Sequence, residues 1–165
     1  HVPLIVRHPA LSPKRIPHMT SHADIAPTLL EVAGIEVPEP MEGISLLPWL
    51  RGESKEPIHP FLVCEECTWQ MKWAIRTLEY KYIRACEPDF YGAPMRELYD
   101  LRRDPGEFDN SADQASEIAN ELDARLDRWL LEKMTRNGLS EDPLLAHGLS
   151  LGKALRSGRE GLPSI

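Results

Sequence analysis

Between Ser116 and Arg136 the apolar residues recur at three- and four-residue steps: Ile118, Leu122, Leu126, Trp129 or Leu130, and Met134. That spacing puts them on one side of a helix, the charged residues between them face solvent, and Gly138 supplies a stop just beyond. A long helix with a single apolar stripe needs a flat apolar surface to lie on. The stretch before it supplies one by changing period. Trp69, Met71, Trp73 and Ile75 alternate with Gln70, Lys72, Ala74 and Arg76, which predicts a strand with one buried face. Leu78-Glu79 makes a tight connection to a second strand over residues 80–85, and residues 61–64 and 96–100 predict further short strands. The expected product is a small antiparallel sheet covered by the helix. Burying the stripe at roughly 1.5–3 kcal/mol per large side chain is enough to hold the two together.

The first third of the chain follows different rules. Val2-Pro3-Leu4-Ile5-Val6 is a continuous apolar run, which suits a strand covered on both faces, and Pro9, Pro13 and Pro17 then break regular structure up to Met19. A helix is predicted over residues 24–34, with Asp24 as N-cap, Pro27 in the first turn and Gly34 at a left-handed end. Ile25, Leu29 and Val32 with Ala33 share one face and are expected to pack on a sheet. Ser45-Leu46-Leu47-Pro48-Trp49-Leu50-Arg51-Gly52 repeats that grammar as one short helical turn. The polar, proline-bearing stretch 53–60 marks a boundary, and residues 137–165, rich in Gly, Leu and Ser, form a tail that needs a docking surface to be ordered.

Composition narrows function by exclusion. A 42% hydrophobic and 27% charged chain of 165 residues is ordinary for a globular protein. A net charge of −7 argues against a nucleic-acid partner, which requires clustered Lys and Arg that release counterions. No apolar run reaches the roughly 20 residues that span a bilayer. Cys64, Cys67 and Cys86 are odd in number and do not form a disulfide framework. Cys64 and Cys67 have knuckle spacing, but a structural zinc site needs four ligands and there is no second pair. His18 and His22 stand four apart, yet Pro17 and the expected cap at Asp24 put them ahead of the helix, so no helical face brings them together.

Four blocks carry a resemblance. They are Val2-Pro3-Leu4-Ile5-Val6-Arg7-His8-Pro9; Ser21-His22-Ala23-Asp24-Ile25-Ala26-Pro27-Thr28-Leu29-Leu30 running on to Gly34-Ile35; Gly43-Ile44-Ser45-Leu46-Leu47-Pro48-Trp49-Leu50-Arg51-Gly52; and Glu97-Leu98-Tyr99-Asp100-Leu101 followed by Asp104-Pro105-Gly106-Glu107 and Asn110. In this order and spacing they resemble the C-terminal portion of the sulfatase family, within the alkaline phosphatase superfamily. The resemblance implies an α/β fold in two parts. Residues 1–52 would supply a strand and a helix to the large alkaline-phosphatase-like sheet, residues 58–136 the small antiparallel sheet with its C-terminal helix, and residues 137–165 the tail. The ending Asn137-Gly138-Leu139-Ser140-Glu141-Asp142-Pro143 looks closest to members acting on N-sulfated or O-sulfated sugars.

For the intact enzyme the resemblance implies hydrolysis of a sulfate ester or sulfamate by formylglycine, made from a Cys or Ser in a Cys-x-Pro-x-Arg motif. A divalent cation, usually Ca²⁺, held by Asp and Asn oxygens, would balance the sulfate charge. The near match Cys86-Glu87-Pro88-Asp89-Phe90 has Phe where that motif has Arg, so catalytic and metal residues are expected outside this chain. Its partners would be the rest of the catalytic domain and a sulfated sugar or small molecule, with self-association through the apolar segment 2–6 also open. Glu66, Thr68 and Arg76 are the candidate substrate-binding residues, Arg76 as a bidentate partner for sulfate or carboxylate; solvent-facing residues of an edge strand are the plain alternative. Trp69, Trp73 and Trp129 are expected in the core against the last helix, with a sugar-stacking platform as the alternative. Two rival functions remain: a related phosphonate or phosphodiester hydrolase, and a non-catalytic interaction module.

Overall fold

The computed structural model describes residues 2–89 and 91–147, which divide into two compact units between Pro60 and Phe61. In the first unit, residues 2–6 form no strand, a departure from the expectation. Ile5 is 89% exposed and Val2 73%. A strand exists only through hydrogen bonds to a neighbour, and no described residue of this unit lies in a strand. This segment and residues 11–18 border an open apolar cleft of about 850 Å³, closed on one side by Leu46, Leu50 and Ile58.

The predicted helix begins differently from expectation. A single 3₁₀ turn, His22–Asp24, precedes α1 (Ile25–Val32). Ser21 is the cap: its Oγ accepts from Ala23 N at 3.3 Å, while Asp24 Oδ2 reaches back to Ser21 N at 2.7 Å. Asp24 stands at the N-cap position of α1 but makes no side-chain cap bond there, and its carboxylate instead closes the capping box that Ser21 opens. Gly34 takes the left-handed conformation that ends the helix (φ 71°), as expected. The apolar stripe is present but uncovered, since Ile25, Leu29 and Val32 are 37, 63 and 47% exposed and Pro27 and Thr28 are the buried residues of α1. Among the described residues the first unit contains no sheet for that stripe to rest on, and the helix buries Pro27 and Thr28 instead. The short helix α2 (Leu47–Arg51) matches its prediction, with Ser45 Oγ accepting from Leu47 N at 3.3 Å and Gly52 left-handed at φ 82°. Gly43 lies so close to the backbone of residues 23 and 24 that a Cβ there would stand 1.9 Å from the Ala23 carbonyl oxygen.

The second unit is a four-stranded antiparallel meander: β1 (Leu62–Glu66), β2 (Lys72–Arg76), β3 (Tyr80–Ala85) and β4 (Arg96–Asp100), paired in chain order. The β2–β3 turn is fixed by Thr77, whose hydroxyl accepts from Glu79 N and Tyr80 N at 3.2 and 2.9 Å. α3 (Ser116–Arg136) covers one face. Trp73, Ile75, Tyr82 and Leu98 from the sheet meet Ala119, Leu122, Leu126 and Leu130 from the helix, and Ile118 and Trp129 pack at the margin. Charged groups pin the helix as well: Arg84 donates to Asp123 and Asp127 at 2.8 and 2.6 Å, and Arg96 donates to Asn120 at 2.7 Å and to Tyr82 Oη at 2.8 Å.

Two features complete this unit. Asn110 Oδ1 accepts from Leu98 N and its Nδ2 donates to the Arg96 carbonyl, each at 3.0 Å, which closes the outer edge of β4. Beyond α3, Asp142 caps α4 (Pro143–His147) through Leu144 N at 2.8 Å and accepts from Trp73 Nε1 at 2.8 Å, while Leu144 joins the core. The start of the predicted tail therefore has its docking surface; residues 148–165 lie outside the described residues.

Candidate functional site

Two connections meet at one end of the small sheet: residues 67–71, between β1 and β2, and residues 86–95, between β3 and β4. Buried polar groups tie them together. Met71 N donates to Glu87 Oε1 at 2.9 Å, Gln70 Nε2 to the Glu87 carbonyl at 2.6 Å, and Cys86 N to the Met71 carbonyl at 2.7 Å. Gln70 and Glu87 are only 1 and 5% exposed, so these bonds operate out of water, where they hold two loops in one arrangement. No described group donates to Gln70 Oε1.

Above that latch the side chains are exposed. Glu66 Oε1 accepts from Thr68 N at 2.6 Å, and that backbone N–H holds the Glu66 carboxyl below its usual range. Asp89 Oδ2 accepts from Tyr91 N and Ala93 N at 2.8 and 3.1 Å, which shapes the second loop. Trp69 and Tyr91, one from each loop, stand edge to face with centroids 6.5 Å apart and planes at 61°. They are 59 and 79% exposed.

Trp69 therefore departs from expectation. β2 begins only at Lys72, so the alternation read from residue 69 starts in the loop, and Trp69 shares no strand face with Trp73. Trp73 does lie in the core, edge to face with Trp129 at 6.2 Å. Tyr91 was not singled out by sequence, because nothing in its local pattern distinguishes it from other loop residues.

The three expected substrate-binding residues do not converge. Glu66 and Thr68 are neighbours at the latched end. Arg76 pairs with Leu62 of β1, four residues along β2 from Lys72 or about 13 Å away. Its guanidinium faces Glu107 at 3.7 Å, and Glu107 also holds Lys81.

The first unit has a polar centre that sequence reasoning missed. Asp24 is fully buried, with Oδ1 accepting from Ile44 N at 2.8 Å and Oδ2 lying 2.8 Å from His59 Nε2, besides the bond from Ser21 N. Thr28 extends the cluster by donating to the Asp24 carbonyl at 2.5 Å and accepting from Leu46 N at 2.8 Å. His59 sits in the boundary stretch, 35 residues from Asp24, a separation that no local pattern reports.

These residues do not fit a cation site. Among the described residues no three His, Cys, Asp or Glu side chains converge as metal ligands, and the Asp24 oxygens are already engaged by N–H donors. Cys86 does not fit the formylglycine precursor either: it lies in a strand-to-strand connection, and burial, then the Asp142 carboxylate, push its thiol up.

A proline-punctuated first unit followed by a latched four-stranded meander under one long helix is an architecture this chain shares with solved sulfatases of the alkaline-phosphatase-like fold. The chain belongs to the sulfatase family, for the model of N-sulphoglucosamine sulphohydrolase, C-terminal, matches residues 1–133 and so takes in all four sequence blocks. It is 35% identical over 144 residues to a Delta 4,5-hexuronate-2-O-sulfatase of Bacteroides thetaiotaomicron, covering 79% of this chain and 28% of that protein. It is 31% identical over 138 residues to arylsulfatase K of Xenopus laevis, covering 76% and 25%. Among solved structures, a 2-O glycosaminoglycan sulfatase matches at a TM-score of 0.58 and 37% identity, over 73% of this chain and 27% of the other. A second, in complex with its substrate D-glucosamine-2-N,6-O-disulfate, matches at 0.53 and 29%, over 72% and 24%. A phosphonate monoester hydrolase of Agrobacterium radiobacter matches at 0.53 and 28%, over 71% and 25%. The chain spans about a quarter of the length of the curated relatives it matches.

Proposed function

We propose that the intact enzyme hydrolyses a sulfate ester or sulfamate on a sugar, and that this chain contributes structure and part of the substrate surface while formylglycine and a divalent cation are held elsewhere. The observation that carries this reading is the family match over residues 1–133, joined to relatives whose names specify sulfated sugars. The chain's own part follows from its geometry. The Asp24 centre binds residues 21, 44 and 59 into one unit, and Glu66 and Thr68, neighbours at the latched end of the sheet, are proposed to bind substrate hydroxyls. The test is sulfate release by the intact enzyme from N-, 2-O- and 6-O-sulfated sugars, with the 165-residue chain assayed in parallel. Release by the intact enzyme alone is expected; release by the isolated chain would overturn the division of labour.

The likeness to a phosphonate monoester hydrolase favours one second reading, hydrolysis of a phosphonate or phosphodiester. Turnover of phosphonate monoesters without any sulfate release would select it. Arg76 is proposed as an anion-binding residue of its own, at the other end of β2. If Arg76→Ala leaves kcat/KM unchanged for every sulfated sugar tried, Arg76 has no place in the pocket.

A further inference from the structure

We propose that the apolar cleft of the first unit binds a sulfated oligosaccharide, with its sulfates on Arg7, Lys14 and Arg15 and its sugar rings over the aliphatic lining. This rests on the sulfated-sugar reading above and assigns to the chain a site for a longer run of that substrate. At about 850 Å³ the cleft has the size and the lining of a small-ligand site. Its ionisable border residues are Arg7, His8, Lys14, Arg15 and His18, all of them basic. That uniformity runs against the chain as a whole, whose net charge is −7. The first 23 residues hold no Asp or Glu, and Asp24, which follows them, is fully buried with its oxygens engaged inside the unit.

Arg7, Lys14 and Arg15 are exposed, and no described carboxylate pairs with any of them. In the second unit, by contrast, Lys72, Lys81, Arg84 and Arg102 each meet a carboxylate. A single exposed cation is ordinary and contributes little in water. Several of one sign around an apolar hollow act together, because the low-dielectric wall focuses their field into the opening. They also come from different parts of the border. Arg7 continues the segment 2–6, whereas Lys14 Nζ stands beside Gly52 at the end of α2, 3.3 Å from where a Cβ on Gly52 would lie. A ligand with charges spaced along a chain can meet these groups at once, which a single small anion cannot.

The lining narrows the ligand further. Leu46, Leu50 and Ile58 close one side, and the segment 2–6 adds exposed aliphatic side chains. Pyranose rings carry C–H groups on their faces that lie against such a surface. Their sulfates stand at the rim, where a guanidinium binds them through paired hydrogen bonds.

The experiment has two arms. In the first, calorimetry follows binding to the 165-residue chain of a heparin-derived hexasaccharide, its fully desulfated counterpart, and the peptide acetyl-Asp-Leu-Glu-Leu-Asp-Leu-Glu-amide. The sulfated sugar is expected to bind most tightly and to lose at least about tenfold in affinity between about 0.05 and 0.5 M NaCl. Lys14→Ala with Arg15→Ala should weaken it about tenfold and Arg7→Ala about threefold. Arg128→Ala, which removes an exposed cation of α3 in the second unit, should leave it unchanged. Circular dichroism confirms that each variant is folded. An equal loss in Arg128→Ala, equal binding of the desulfated sugar, tighter binding of the peptide, or no binding of the sulfated sugar overturns the site.

In the second arm the intact enzyme carrying Lys14→Ala and Arg15→Ala should show a KM for the sulfated hexasaccharide raised several-fold more than its KM for a sulfated monosaccharide. Equal effects on the two substrates, or none, sink the cleft alone. An intact enzyme that releases no sulfate from any sugar sinks the proposed function, and the first arm then still decides whether the cleft binds the sulfated chain.

Discussion

Asp24 shows what one residue gains from tertiary structure. An Asp at the start of a helix is legible in sequence, and Asp24 stands at the N-cap position of α1, but the bonds of its carboxylate are not legible. The structure makes it the buried centre of the first unit, with N–H donors from residues 21 and 44 and the His59 ring around one carboxylate. Asn at this position keeps the shape but turns an N–H₂ toward backbone N–H groups, so Asp24→Asn should destabilise the unit by about 2–3 kcal/mol. Hydrogen exchange reads this directly. The Ser21 and Ile44 amides should be protected in the wild type and exchange at least tenfold faster in the variant, following about 1.4 kcal/mol per decade, while amides of β2 and β3 stay unchanged. Equal exchange at Ser21 and Ile44 would show that the carboxylate is not the tie.

At the scale of elements, α3 is the clearest case of sequence specifying structure. Its bounds and its stripe both follow from spacing, because a 21-residue helix averages many small preferences and leaves little room for a shift of register. Leu126, fully buried against the sheet, should cost about 3 kcal/mol when cut to Ala, whereas Leu131, 65% exposed on the same helix, should cost less than about 0.5 kcal/mol. Urea denaturation of the two variants checks the contrast, and similar midpoints would contradict the packing described. The β1–β2 connection shows the opposite behaviour. Residues 69–71 alternate as well as residues 72–76 do, yet they lie in the connection before β2, where Gln70 and Met71 are bonded to Glu87 of the neighbouring connection. That is why Trp69 was expected in the core and stands instead at the surface.

For the whole molecule, the first unit leaves whole apolar segments uncovered. Residues 2–6 and the Ile25, Leu29 and Val32 stripe of α1 expose side chains of the kind that sheets and helices normally bury. In isolation the 165-residue chain should therefore self-associate. Sedimentation velocity at micromolar concentration should show species larger than the 18.7 kDa monomer. A clean monomer would count against the idea that these residues need a partner. In the second unit Leu98, Leu122 and Leu126 close a core and Asn110 closes the outer edge of β4, while Leu78, Phe108 and Leu131 stand exposed singly.

The sequence by itself determined the elements whose signals are local or periodic: the α3 stripe, the β2–β3 hairpin, the glycine ends of α1 and α2, and the family blocks. Only the tertiary structure decided which partners distant residues meet. It joined Asp24 to His59, Trp69 to Tyr91 and Gln70 to Glu87, and it separated Arg76 from Glu66 and Thr68. The physical reason is that periodicity reports which side of an element is apolar, whereas a site is made by polar and aromatic groups brought together from separate segments. Their pairing depends on where the chain returns.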